Sequence, residues 1–358
     1  MTDGLAPFAF ATVTSRGYVD QTAGLLLNLR EYYPDTPVVV CALDAESREA
    51  FERFADPHQV IATGEGVWGA DHWRNMHARM NRAERAFATK SALSAWTLAN
   101  VADTMLLLDS DLLFLDRVDD LVAQLSACSA LLVTGRHGID EWDKAGRFGL
   151  FSAGVLGLTR RVLGEVRIWK ASCFEACSAA PLSGTYYEQK YLDPFLNIPG
   201  VALVHDPGIN ISQTFLKLLA PAQMPDGTWQ VRDGTRIRIF HASRSSDTSF
   251  QLYQDKAEYN RRGLEQIEGA SRKSDERQDP GPEASIAKAL RRISVGRMVT
   301  RFTDGVPRAM RRLIEIYRAL TLRELTFSER LRETLSHKQA LLETLRKEAG
   351  DPQGPDTP

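Results

Sequence analysis

An α/β fold with a mixed, mainly parallel sheet flanked by helices is predicted for this chain by two observations. Short apolar, β-prone runs alternate with stretches of helical spacing, and turn residues bound the segments. Phe8 to Thr14 (FAFATVT) is the first strand, followed by helical spacing through Leu25, Leu26, Leu29 and Tyr32 that stops before Pro34. Val38 to Leu43 reads as a second, buried strand and Ser47 to Phe54 as a second helix. Residues 71–101 read mostly as helix, in two pieces. Thr104 to Leu108 is the third strand, and it runs directly into Asp109-Ser110-Asp111. Leu131 to Thr134 and Phe151 to Leu158 (FSAGVLGL) follow as further strands. Gly64-Glu65-Gly66 and the segment with Trp68, His72 and Trp73 read as loop.

Composition narrows the class. Of 358 residues, 43% are hydrophobic, 25% charged and 8% aromatic, which excludes collagen-like, wholly disordered and disulfide-scaffold chains. A strongly basic nucleic-acid binder is disfavoured, because 44 Lys+Arg stand against 46 Asp+Glu. No run reaches the roughly 18 apolar residues that span a bilayer. The acidic start Met1-Thr2-Asp3-Gly4 is not that of a secretory leader, so a cytoplasmic protein is expected. Four cysteines, Cys41, Cys128, and Cys173 and Cys177 four apart on one predicted helix, include no second closely spaced pair and are assigned no metal or redox role.

The near-neutral total conceals a division. Residues 286–358 carry 15 Lys+Arg against 9 Asp+Glu, a net of +6, which leaves −8 on residues 1–285. The reading is a catalytic domain over 1–270, a polar Pro/Gly-containing linker over 271–285, a basic helical extension over 286–348 and a disordered tail over 349–358. In the extension, Leu313, Ile316, Tyr317 and Leu320, then Leu331, Leu335, Leu342 and Leu345, recur at helical spacings between arginines. Two helices packing on the catalytic domain or on each other fit this pattern. So does a basic amphipathic surface that meets an anionic membrane or a partner helix.

The sharpest chemical feature is Leu106-Leu107-Leu108-Asp109-Ser110-Asp111. In extended chain, residues i and i+2 point to one side, so the two carboxylates can converge. They stand at the carboxyl end of a buried strand, where open α/β sheets bind ligands. Convergent carboxylates repel unless a cation or proton lies between them, and a hard divalent ion suits oxygen ligands. A competing reading takes Asp109 as the nucleophile of a haloacid-dehalogenase-type phosphatase. Such enzymes carry the motif near the start of the domain and follow it with Thr or Val, whereas here it comes after about 100 residues and Leu112 follows. Neither a dinucleotide G-x-G-x-x-G nor a P-loop signature is present.

Several collinear segments resemble the nucleotide-diphospho-sugar glycosyltransferases of the GT-A fold. They are Phe8 to Leu29, Ala88-Thr89-Lys90 leading into LLLDSDLLFLD, Phe151 to Leu156, Tyr187 to Asp193, Pro207-Gly208-Ile209-Asn210, and Arg238 to Ser243. The order and spacing hold over about residues 8–245 and are similar to the retaining group that includes glycogenin and bacterial lipopolysaccharide galactosyltransferases.

That resemblance implies roles. Asp109, Asp111 and His241 would hold Mn²⁺ or Mg²⁺. Thr14, Ser15 and Tyr18 would lie against base and ribose. Lys90, Ser110 and Ser243 would reach the diphosphate or sugar, with Arg244 as a further phosphate contact. Glu188 and Gln189 would face the anomeric carbon, and Asp193, one helical turn on, would support the site or bind an acceptor hydroxyl. Apart from the resemblance, His137, Asp140 and Trp142 stand in a segment that mixes aromatic, acidic and basic residues after a strand, as an acceptor or lid loop would.

The expected activity is metal-dependent transfer of a sugar from a nucleotide-diphosphate donor, a UDP-sugar for preference, with retention. The acceptor would be a hydroxyl of a glycan, a lipid-linked saccharide or a protein. The rivals are the phosphatase and a catalytically inactive scaffold acting through its C-terminal helices.

Overall fold

The computed structural model describes residues 5–134, 148–178, 187–212, 219–243 and 251–277, with side chains through residue 270. The chain divides into two units, Met1–Gln278 and Asp279–Pro358, and the second lies outside the described residues. So do His137, Asp140, Trp142, Arg244 and the helical repeats of the extension.

A seven-stranded sheet organises the first unit. In chain order its strands are β1 (Ala6–Thr14), β2 (Val38–Ala42), β3 (Gln59–Thr63), β4 (Ala102–Leu108), β6 (Ala130–Thr134), β7 (Phe151–Thr159) and β8 (Val201–Val204). The order across the sheet is β3-β2-β1-β4-β7-β6-β8, and every pairing is parallel except the two made by β7. The mixed, mainly parallel sheet predicted from the alternating pattern is therefore present.

Helices cover both faces. They are α1 (Val19–Tyr32), α2 (Ala45–Phe54), α3 (Gly64–Trp68), α4 (Ala70–Arg79), α5 (Arg82–Asn100), α6 (Asp119–Ala127), α7 (Leu163–Glu175) and α8 (Gln251–Arg277). Two start with reciprocal caps. Asp44 and Ser47 close the first turn of α2, and Asn81 and Glu84 that of α5. Strand β4 explains the unbroken apolar run in the sequence. Met105 and Leu107 enter the core on one face, and Leu106 and Leu108 enter the core on the other. A strand buried on both faces has no polar side to display.

A second, smaller sheet stands beside the first and positions the site. It joins β5 (Leu112–Phe114), β12 (Ile239–His241) and β9 (Ile211–Ser212) in the order β5-β12-β9. A short hairpin, β10 (Ala222–Gln223) with β11 (Trp229–Gln230), completes the strands.

Several local readings are corrected. Gln59–Thr63 is a strand that the pattern did not reveal, so the strand leading into Asp109 is the fourth of the chain. Gly64 to Trp68 is helix rather than loop, capped by the Thr63 hydroxyl accepting from Gly66 N. His72 and Trp73 lie on α4, and Trp68 is buried with its indole N–H donating to Thr89 Oγ1 at 3.0 Å. Cys177 lies beyond the end of α7, so it does not share a helix with Cys173. Gln189–Asn197 is a 3-10 helix, which removes the face shared by residues four apart. Helix α8 runs through Arg277, into the stretch whose composition reads as linker. Among the described residues no helix is long and apolar enough to cross a membrane.

Candidate active site

Strand β4 ends at Leu108 and the chain turns through Asp109-Ser110-Asp111 into β5. The turn is pinned to β7, where Asp109 N donates to the Gly154 carbonyl at 2.9 Å. Antiparallel pairing of β5 with β12 places His241 opposite Leu112, and Ala242 N donates to Asp111 O at 3.0 Å. This register brings a side chain from residue 241 onto carboxylates 130 or so positions earlier. His241 Nε2 stands 3.0 Å from Asp111 Oδ1 and 3.6 Å from Asp109 Oδ2.

The imidazole is held from behind. Its Nδ1 is 2.9 Å from Asn210 Oδ1, and Asn210 Nδ2 donates to Ser152 Oγ at 2.7 Å. Asn210 occupies a left-handed backbone conformation (φ 59°), which asparagine tolerates better than most residues. An acceptor on Nδ1 makes that nitrogen the N–H and turns Nε2 toward the acids, as an outer-shell partner does for a metal-binding histidine. Gly154 gives the ring room, since a Cβ there would stand 2.9 Å from His241 Cε1.

Lys90, on α5, is the second organising charge. It is only 6% exposed, and its Nζ lies 2.5 Å from Asp109 Oδ1 and 2.7 Å from Glu188 Oε1. Burial works against the ammonium, but the Asp109 and Glu188 carboxylates hold its pKa above the ordinary lysine range. Glu188 is 2% exposed, and burial pushes its carboxyl up, with the Lys90 charge opposing that rise. For Asp111, burial likewise favours the neutral form. The charges of His241 and Lys256 outweigh it and bring the carboxyl down to about 2. Burial also opposes a charged His241, yet the Asp111 and Asp109 carboxylates raise it above the usual imidazole value.

These groups line one cleft of about 790 Å³. Of the residues singled out in the sequence, Thr14, Ser15, Tyr18, Lys90, Asp109, Ser110, Asp111, Glu188, Gln189, His241 and Ser243 all line it. Asp193 does not. Its carboxylate instead accepts from Leu150 N at 2.7 Å and pairs with Lys190 Nζ at 2.9 Å, so it braces the segment entering β7. Gln189 is also anchored, accepting from Ala153 N at 3.2 Å and donating to the Phe148 carbonyl at 2.9 Å. Thr14 Oγ1 accepts from Thr22 Oγ1 at 2.9 Å, where β1 hands over to α1.

Three contributors have no role in the sequence reading, two of them, Ser152 and Asn210, within its quoted segments. Ser152 and Asn210 orient the histidine, and Lys256 of α8 reaches the acidic turn from the interior, donating to the Ser110 carbonyl at 3.2 Å. Lys256 did leave a signal: it falls on the buried stripe of Leu252, Tyr253, Lys256 and Ile267, a charge at core spacing.

The donor set fits a divalent cation. One carboxylate oxygen from each of Asp109 and Asp111 and a nitrogen of His241 all lie within 4.8 Å of one another. Two carboxylates and one imidazole suit Mn²⁺ or Mg²⁺ better than a thiophilic metal. Uptake of a cation there requires Nε2 to give up its proton.

No protein-family model matches the chain. It is similar to the uncharacterized protein YfnF of Bacillus subtilis (strain 168), with 23% identity over 252 residues that span 66% of this chain and 80% of the relative. Among solved structures it is similar to the galactosyltransferase LgtC in complex with donor and acceptor sugar analogs (TM-score 0.47, 16% identity, 70% of this chain and 95% of that one). Two others are the apo form of the glycosyltransferase GlyE of Streptococcus pneumoniae TIGR4 (TM-score 0.47, 15% identity, 75% and 64%) and the bifunctional glycosyltransferase WbbM (TM-score 0.45, 12% identity, 75% and 51%).

Proposed function

We propose that the chain is a metal-dependent glycosyltransferase that moves a sugar from a nucleotide-diphosphate donor, a UDP-sugar, to an acceptor hydroxyl with retention. One observation carries this reading. The Asp109, Asp111 and His241 ligand atoms converge in a cleft that also holds a buried Lys90–Glu188 pair, at the carboxyl ends of parallel strands.

Asp109, Asp111 and His241 would hold Mn²⁺ or Mg²⁺, and such an ion supplies charge neutralisation to a departing diphosphate. The protein's own groups do the rest. Lys90 adds a fixed positive charge beside Asp109 from a buried position, where a preorganised charge is most effective. Ser110 and Ser243 offer hydroxyls to phosphate or sugar oxygens on the same wall. Thr14, Ser15 and the ring of Tyr18 lie where β1 passes into α1 and accommodate the nucleoside.

The sugar end is formed by Glu188 and Gln189. Gln189 has its amide fixed by Ala153 N and the Phe148 carbonyl, so it presents an oriented dipole and no nucleophile. Glu188 is the anionic group there, oriented by Lys90, and it stabilises positive charge developing at the anomeric carbon. Phe87 and Tyr187, whose rings stack at 4.2 Å, give the cleft an aromatic wall for the C–H faces of a saccharide acceptor. The acceptor class is a glycan, a lipid-linked saccharide or a protein. A peripheral membrane contact would fall to the basic extension.

The test is thermal shift of the full chain against a panel of nucleotide sugars, with and without Mn²⁺. Stabilisation that needs both ligands, and that Asp111→Asn abolishes, is the expected result. Stabilisation by nucleotide sugar that is indifferent to Mn²⁺ and to Asp111→Asn overturns the reading. Release of phosphate from simple phosphoesters through an aspartyl-phosphate on Asp109 would replace it with the phosphatase.

A further inference from the structure

Helix α8 carries a lysine for which the proposed chemistry has no use. Lys256 is 3% exposed, and its Nζ donates to two backbone carbonyls, Gln21 O on α1 at 3.1 Å and Ser110 O in the acidic turn at 3.2 Å. Among the described residues it forms no ion pair within 4.0 Å. As a packing choice this is poor. An ammonium taken out of water without a contacting counter-ion is destabilising, and a Met of similar length would fill the same volume without that penalty.

The approach of α8 to the turn is closely built. A Cβ added to Gly24 of α1 would stand 2.7 Å from Asn260 N, and one added to Gly263 of α8 would stand 2.7 Å from the Ala23 carbonyl carbon. The two helices therefore meet backbone against backbone, two turns beyond Lys256. That contact lets the lysine stem pass Gln21 and end on Ser110, the residue between the two carboxylates that meet His241.

We infer that Lys256 is a positioning residue for the acidic turn, tying the Ser110 carbonyl to α1 and so fixing where the Asp109 and Asp111 carboxylates meet a divalent cation. The inference rests on the metal-site reading of the preceding section. It separates Lys256 from an ordinary core residue by a trade-off. Removing the ammonium relieves a buried charge and favours the folded chain, while the turn it held loses its fixed geometry.

The experiment uses the full-length chain with Mn²⁺ and UDP as probes. Free Mn²⁺ is read by electron paramagnetic resonance, and the metal-free chain is melted in parallel. For Lys256→Met, Mn²⁺ binding should weaken at least about tenfold, the scale on which outer-shell partners act, with a metal-free Tm equal to or above wild type. Lys256→Gln, which keeps an N–H donor, should recover part of the affinity. Wild-type affinity in Lys256→Met overturns the inference while leaving the metal site standing. A joint fall of Tm and affinity in both variants also overturns it, because that is the behaviour of a plain packing residue. A wild-type chain that takes up no Mn²⁺, or an Asp111→Asn chain that binds it as well as wild type, removes the metal-site reading and this inference with it.

Discussion

Adding one methyl group at Gly154 tests whether His241 belongs to a metal site, without substituting any ligand. A Cβ there would lie 2.9 Å from His241 Cε1, 3.1 Å from His241 Nδ1 and 3.1 Å from Asn210 Oδ1. Unstrained carbon contacts begin at about 3.5 Å, so the ring must retreat by about 0.6 Å. The backbone at Gly154 is itself held, because its carbonyl accepts from Asp109 N at 2.9 Å. Metal sites tolerate about 0.2 Å in ligand position, so the shift is some three times too large. Gly154→Ala should therefore weaken Mn²⁺ binding by about 10- to 100-fold, the range seen when ligand orientation is lost. The cost in stability should stay near the 1–3 kcal/mol of an overpacked core. Isothermal titration with Mn²⁺ in the presence of UDP reads the first quantity, and urea unfolding without metal reads the second. Wild-type affinity in a folded Gly154→Ala chain would refute the assignment of His241 as a ligand.

Three further outcomes are expected. Lys90→Ala strands Glu188 as a buried, unpaired acid and should cost about 3–5 kcal/mol in urea unfolding, and adding Glu188→Gln should return much of it. Gly263→Ala drives a methyl against the backbone of α1 and should cost about 1–3 kcal/mol, measurable as a fall in Tm of the metal-free chain. Asp44 bears on acid stability. Burial alone would raise its pKa, but hydrogen bonds from Arg16 N and from Ser47 bring it below 3.8. A carboxyl depressed in the folded state stabilises above its unfolded pKa and loses that contribution as pH falls through the folded value. Asp44→Ala should thus cost about 0.5–2 kcal/mol at neutral pH and show a shallower loss of stability below pH 3.8 than wild type.

How much of this was legible in the letters follows from the length of the pattern each element leaves. Strands β1, β2, β4 and β7 each bury long apolar runs and were read within a residue or two at most ends. Strand β3 lies at the sheet edge with four of its five residues only partly buried, so its sequence QVIAT carries little contrast with a loop. The side sheet is built from strands of two or three residues, too short for any periodicity, and yet its register is what delivers His241 to Asp111. The acidic pair could be anticipated because i and i+2 share a side of an extended chain. The spacing argument for Asp193 assumes an α-helix, whereas Gln189–Asn197 is a 3-10 helix and Asp193 meets Leu150 N and Lys190. Lysines are expected in water, so only the resemblance points to Lys90 in the sequence; the structure buries it between two acids contributed by other elements.

The charges in the cleft argue for why these particular groups were assembled. Asp109, Asp111 and Glu188 bring three carboxylates into one partly buried cleft, whose lining among the described residues also carries the cations of Lys90 and Arg82. With a neutral imidazole the balance is a single negative charge, which attracts a divalent cation and is overturned by it. The site then carries one positive charge, on the scale needed to attract a diphosphate without holding it irreversibly. Without the cation, the same balance is met by protonating His241, whose two ring nitrogens both face acceptors. His241 can give up a proton as the metal arrives, so uptake of Mn²⁺ near pH 7 should release one. Calorimetric titration in buffers of different ionisation enthalpy measures that proton directly. Binding with no proton release would mean that His241 enters the site already neutral, and that the Asp111 carboxylate is held down by Lys256 instead.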